Sequence, residues 1–223
     1  MLHPIPTTCW RGANLGLEFY RAMLLQMDPS AMAAHSTINH HVDGMQYLCL
    51  HRTPRLTVKL YLIEEPKNPN SGFLVHPHSH RYAFLSTVLH GRLQHLRFKP
   101  MPGQGWQCFT YRAEGRRRTS AGECDLRLQR IERRSAGSSY FVAPDEVHTL
   151  RMHEPWRGRP APVLIGLTQF ADTKSRSELY LPKGVAEVAY PQDRRPSVVE
   201  LDRLRRRCLQ LMGAAASPGE VLR

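Results

Sequence analysis

Between Met45 and Phe170 the chain is a succession of short β-prone segments, and no other feature restricts its fold as much. Gln46-Tyr47-Leu48-Cys49-Leu50 and Leu56-Thr57-Val58-Lys59-Leu60-Tyr61-Leu62-Ile63 have the two-residue period and the branched or aromatic side chains of strands. Further strands are expected at 73–80, 82–90, 92–99, 106–112, 125–132, 139–143, 147–152 and 162–170. Gly91, Pro102-Gly103, Gly115, Gly122, Pro144-Asp145 and the stretch 153–161 punctuate them, and Glu65 to Gly72 is a turn-rich loop. Many short strands joined by turns indicate an all-β sandwich or barrel.

Helical periods flank this region. Residues 13–27 place Leu17, Tyr20, Ala22, Leu24 and Met27 near helical spacing, and Asp28-Pro29-Ser30 stops that helix or starts the next. His35 to Gly44 is polar and loop-like. Beyond Pro196, Val198, Leu201, Leu204, Cys208 and Leu211 recur at three- and four-residue steps with arginines on the other face. Ser197 is the expected N-cap, and Glu200 completes a capping box. The expected organisation is a helical N-terminal arm over 1–44, one β-barrel over 45–190, and a C-terminal helix and tail over 191–223 that frays after Gly213.

A length of 223 residues suits one substantial domain, and 41% hydrophobic residues are enough for a core. No apolar run approaches the ~20 residues of a membrane helix. The N-terminus lacks a basic and apolar leader, so a cytoplasmic location without a membrane partner is expected. The 31 Lys+Arg against 19 Asp+Glu leave a formal charge of +12. The basic clusters, such as Arg116-Arg117-Arg118 and Arg205-Arg206-Arg207, are short and scattered, which argues against nucleic acid as the main partner. A small anionic substrate fits the charge. Five widely spaced cysteines contain no C-x-x-C pair, so reduced, mostly buried thiols are expected.

The histidines carry the chemistry. His76, His78 and His80 occur at steps of two, which in a strand puts three imidazoles on one face. Neutral imidazole is a common ligand of iron, zinc, copper and nickel. Gly72, His78, His80, Phe84 and Gly91 stand at spacings G-x5-H-x-H-x3-F-x6-G. Downstream, Pro144-Asp145 makes a turn and His148 starts the returning strand.

This pattern resembles the motifs of the cupin superfamily, with Phe84 where the family's usual glutamate stands. The resemblance covers residues ~45–170 and implies a double-stranded β-helix barrel of jelly-roll type with a metal inside it. It implies His78, His80 and His148 as the ligands. The spacing of the thiol dioxygenases would select His76 and His78 instead. Gly72 and Gly91 both fit the first choice, which makes His76 a supporting or mouth residue.

Without the glutamate, three neutral histidines leave a divalent iron its full charge, which suits an anionic thiolate or carboxylate substrate. The chain is similar here to the three-histidine thiol dioxygenases. The expectation is therefore an Fe(II) cupin oxygenase that uses O2 to oxidise a small thiol such as cysteine, by default to a sulfinate. The alternatives are a cupin isomerase or hydrolase using zinc, manganese or nickel, and a ligand sensor without catalysis. The oligomeric state is left open, a homodimer included. The chain departs from cysteine dioxygenases at Gly166-Leu167-Thr168-Gln169-Phe170, where those enzymes carry a Ser-x-His-x-Tyr cluster. The resemblance also suggests Arg52 as the anchor of a substrate carboxylate, with Arg55 a poorer match. Tyr140 is the candidate catalytic residue if strand parity turns it inward, and Tyr82 and Ser86 share parity with His80. His40-His41 is read as surface, because adjacent residues do not share a strand face.

Overall fold

The computed structural model describes residues 15–67, 73–112, 118–152, 161–184 and 194–214. Gly72, Gly115, most of the 153–161 stretch and the tail beyond 214 lie outside the described residues. In chain order the elements are α1 (Leu15–Gln26), α2 (Pro29–Ala33), β1 (Asp43–Arg52), β2 (Leu56–Lys67), β3 (Tyr82–His90), β4 (Arg92–Arg112), β5 (Arg118–Ser135), β6 (Ser139–Val142), β7 (Val147–Met152), β8 (Val163–Asp172), β9 (Arg176–Pro182) and α3 (Val198–Ala214). The strands form two antiparallel sheets. One has the order β1-β2-β8-β3-β6; in the other β4 lies between β5 and β7, and β9 pairs with the far half of β4. This is the expected all-β jelly-roll architecture with helices at both ends of the described chain.

Strand parity sorts the first sheet cleanly. Leu48 and Leu50 of β1, Val58, Leu60 and Leu62 of β2, Leu89 of β3 and Leu164 of β8 face outward into one apolar cluster with the helices. Leu17, Tyr20 and Leu24 of α1 and Leu201, Cys208, Leu211 and Met212 of α3 complete it. Gly166 on β8 has a structural reason: a Cβ there would collide with the Tyr20 ring. The Tyr20 ring fills that space, and its hydroxyl meets Thr168 Oγ1 at 3.0 Å. The opposite parity faces the barrel interior: Tyr47 and Cys49, Lys59 and Tyr61, Tyr82 and Phe84, Leu167 and Gln169.

The capping box forms. Ser197 Oγ accepts from the Glu200 amide at 3.2 Å, and Glu200 Oε2 accepts from the Ser197 amide at 2.9 Å. Val198 departs from the expected stripe, since it is exposed before the helix meets the sheet, and Met212 takes a buried place at the other end. Among the described residues no helix is long and apolar enough to cross a membrane. Cys49, Cys108, Cys124 and Cys208 are free thiols, two of them buried and two half-buried.

Three expectations about strands are corrected. The segments 92–99 and 106–112 are one strand, β4, and 125–132 is the middle of the longer β5. Pro102-Gly103 does not turn the chain. A bulge between Met101 and Trp106 absorbs it, and Asp125 Oδ1 accepts the Gly105 amide at 2.8 Å. Residues 73–80 are extended but form no continuous strand, because Pro77 has no amide to give a ladder. β9 was not expected.

Candidate metal centre

The segment carrying the histidines runs between β7 and β9. The His78 amide donates to His148 O and the His148 amide donates to His78 O, both at 3.0 Å. On the other side the Tyr180 amide donates to Pro77 O at 2.9 Å, and the Ser79 amide to Glu178 O at 2.9 Å. Thr149 Oγ1 bonds Val75 O. The chain is thus pinned on both edges although it is not a regular strand. Pinning brings His78 and His80 against His148.

Those three histidines form a group whose ligand nitrogens lie within 4.8 Å of one another. His80 Nε2 and His148 Nε2 are 2.9 Å apart. Two nitrogens bound at ~2.1 Å and at right angles to each other would be ~3.0 Å apart, so this pair has the separation of adjacent ligands. His78 Nδ1 lies 2.8 Å from His76 O. Only a protonated Nδ1 can bond a carbonyl, so the lone pair of His78 sits on Nε2. The donor set therefore fits a transition metal, with His78, His80 and His148 as the residues that would hold it. His76 contributes its carbonyl. Its own ring is buried outside the group.

Electrostatics keep the donors neutral. Burial is the first cause that pushes the pKa of each of the three down. His80 and His148 are pushed well below the usual histidine value, next by His78 and, for His148, by His80 as well. Neutral imidazole is the form that ligates. Phe84 stands where a carboxylate would complete the set. Its ring centre is 4.9 Å from that of His80 and 5.7 Å from that of His148.

A buried relay lies behind His148. Its Nδ1 is 3.0 Å from Nε2 of His95, which is wholly buried on β4. For His148 to present Nε2 to a metal, its Nδ1 carries the proton and donates to His95. The proton of His95 then sits on Nδ1, 3.5 Å from Glu132 Oε2. Burial, then the Arg97 charge, pushes the His95 pKa down, with Glu132 opposing. Burial alone would raise Glu132, but Arg134, Arg97 and Arg130 overcome it and hold its carboxyl down. Their nitrogens stand 2.9, 3.3 and 3.1 Å from its oxygens.

Tyr140 is buried and lies against His95 with ring centres 4.6 Å apart. Ser86, its cross-strand neighbour, is its hydrogen-bond partner, and burial pushes its pKa up to about 12. That places Tyr140 and Ser86 behind the relay, packed with Phe84, Val142 and Leu167. Tyr82 is beside the group, its ring centre 5.0 Å from that of His80. Arg52 is at the exposed end of β1. Arg55 is exposed between β1 and β2.

Of the His40-His41 pair, His41 is exposed, as a surface reading expects, and His40 is half-buried over Tyr61, with ring centres 5.9 Å apart. The two imidazoles are tilted against each other at 3.9 Å between ring centres. His41 has φ 67°, so strand parity does not apply there.

No protein-family model matches the chain, and no curated protein matches it. Solved structures do, distantly. An RmlC-like cupin from Shewanella frigidimarina is 14% identical, with a TM-score of 0.34 over 63% of this chain and 87% of that one. Hydroxypropylphosphonic acid epoxidase from S. wedmorenis is 18% identical, with a TM-score of 0.34 over 61% and 56%. KdgF from Halomonas sp. is 16% identical, with a TM-score of 0.32 over 60% and 89%.

Sequence reasoning missed His95, Glu132 and Lys59. For His95 a signal existed: it alternates with Gln94 and Leu96 in a strand and shares the buried parity of Leu93. Lys59 likewise shares the inward parity of Tyr61.

Proposed function

We propose that this chain is a non-haem iron oxygenase that adds O2 to the sulfur of a small anionic thiol, cysteine being the simplest. Phe84 carries the reading. With an apolar ring at that position, the ligand set is three neutral imidazoles, and a divalent iron keeps its full charge for an anionic substrate. Iron, when bound, supplies redox capacity and open positions at which thiolate and O2 are brought together.

The residues of the chain do the rest. His76 O and His95 fix which nitrogen of His78 and His148 faces the centre. Phe84 and Tyr82 wall the interior beside His80, and Tyr140 packs behind them on His95. The reaction balances without a further reductant, since thiolate and O2 together make a sulfinate and both oxygen atoms end on sulfur.

The test is O2 uptake by iron-reconstituted protein against a panel of cysteine, cysteamine and 3-mercaptopropionate, with the product mass measured under isotopically labelled O2. Uptake with two labelled oxygens in the product supports the reading. No uptake with any thiol, together with turnover of another substrate by zinc- or manganese-loaded protein without O2, would replace it by an isomerase or hydrolase.

A further inference from the structure

Lys59 projects from β2 into the barrel interior and is buried. Its Nζ is 2.8 Å from Gln169 Oε1 on β8. Three tyrosine rings surround it, Tyr47, Tyr61 and Tyr82, with their centres 5.5, 5.7 and 5.4 Å from Nζ. Tyr82 is also the neighbour of His80. One tyrosine ring therefore separates the amine from the histidine group, and the Lys59 charge is among the causes that lower the pKa of His80.

A buried ammonium is costly unless it is paired. Among the described residues no carboxylate pairs with Lys59. Burial raises the pKa of the groups closest to it, the Cys49 thiol and Tyr47 on β1, Tyr61 on β2 and Tyr82 on β3, although Lys59 itself draws that of Cys49 back down. Burial is the main cause that lowers the Lys59 pKa; Cys49, its cross-strand partner on β1, favours the charged amine, and the Arg52 charge at the end of β1 opposes it. One amide oxygen and three ring faces orient the cation without neutralising it.

We propose that Lys59, steadied by Gln169 and the three tyrosines, is the anion subsite of the interior and receives the carboxylate of a substrate whose other end reaches the histidine group. The proposal deepens the thiol reading above and rests on it for the identity of that other end. The substrate class is then a small carboxylate-bearing thiol. Arg52 is left outside the cage as an exposed neighbour. Burial holds Lys59 down to about 7, and a carboxylate placed beside it would favour the charged amine.

The test is binding without turnover. Metal-loaded protein held free of O2 is titrated with 3-mercaptopropionate and with ethanethiol, which differ by the carboxylate alone. The wild type is expected to prefer 3-mercaptopropionate by roughly ten- to a hundredfold, the range of one charge-assisted hydrogen bond. Two variants remove the subsite in opposite ways. Lys59→Met deletes the cation; Gln169→Glu supplies the ammonium with a carboxylate from the protein. Both should abolish the preference while metal content and far-UV circular dichroism stay unchanged, and if one variant fails to fold the other decides. No preference in the wild type, or a preference that survives in either folded variant, overturns the proposal. Because O2 is excluded, binding that follows this pattern in a protein that oxidises no thiol would refute the oxygenase and leave the anion subsite standing.

Discussion

Phe84 and His80 face each other across 4.9 Å between ring centres, on the inward side of β3 and the segment before it. An apolar ring thus occupies the position from which a carboxylate could reach the same space as the imidazoles. Phe84→Glu should convert a three-histidine set into one with a carboxylate. Without metal the variant should lose stability by ~3 kcal/mol, from the lost packing and the buried carboxyl. Metal should then raise its melting temperature by more than it raises that of the wild type. Thiol oxidation should fall more than tenfold, because the added anion competes with an anionic substrate. Calorimetric melts with and without metal, and O2 uptake, check this.

His95 is a positioning residue that acts through His148. His95→Ala should weaken metal binding by about 10- to 100-fold, the usual effect of removing the partner of a metal-binding histidine. Competition against a chelator measures it. A Tyr140→Phe variant keeps the ring packed against His95 and loses only the bond to Ser86, so its metal affinity should stay close to that of the wild type.

Lys59 gives a stability prediction with an unusual sign. Its folded pKa, about 7, lies below the usual lysine value of 10.5. The unfolded chain binds the extra proton between those two values, so stability rises with pH across pH 7 to 10.5 and the burial penalty is fully present below pH 7. Lys59→Met should therefore stabilise the substrate-free protein, by ~4 kcal/mol at pH 7 if the whole shift is realised, and flatten that slope. Denaturant melts at pH 6, 8 and 10 test it. A variant less stable than the wild type at pH 7 would contradict the assignment.

The helical layer is a separate prediction. Leu201 is fully buried between α1, α3 and the outward face of the first sheet. Leu201→Ala should cost about 2–5 kcal/mol with metal binding retained. Ser197→Ala should cost ~1 kcal/mol through the lost cap. Val198→Ala should be near neutral, since Val198 is exposed.

Local signals were legible and non-local ones were not. β3 and β7 have the expected bounds because alternation and flanking turns are written in consecutive residues. His78 and His80 were legible because their spacing is itself a backbone period. Lys59 and His95 carry an inward strand parity but no motif that says what they meet there. Their meaning depends on which strands become neighbours, β2 with β8 and β4 with β7, which single-strand patterns do not encode. β9 went unseen because Arg176, Glu178 and the leucines of a short charged run have no clear face until β4 pairs with them.

The central claim is that His78, His80 and His148 form one metal site, and metal analysis of protein purified without O2 tests it most directly. The wild type should carry about one transition-metal ion per chain, as a single site of this kind holds. His78→Ala, His80→Ala and His148→Ala should each lose it while keeping the β-rich spectrum, and His76→Ala, which retains the backbone carbonyl, should keep it. A His80→Ala protein that binds metal as the wild type does, or a His76→Ala protein that loses it, would contradict the site.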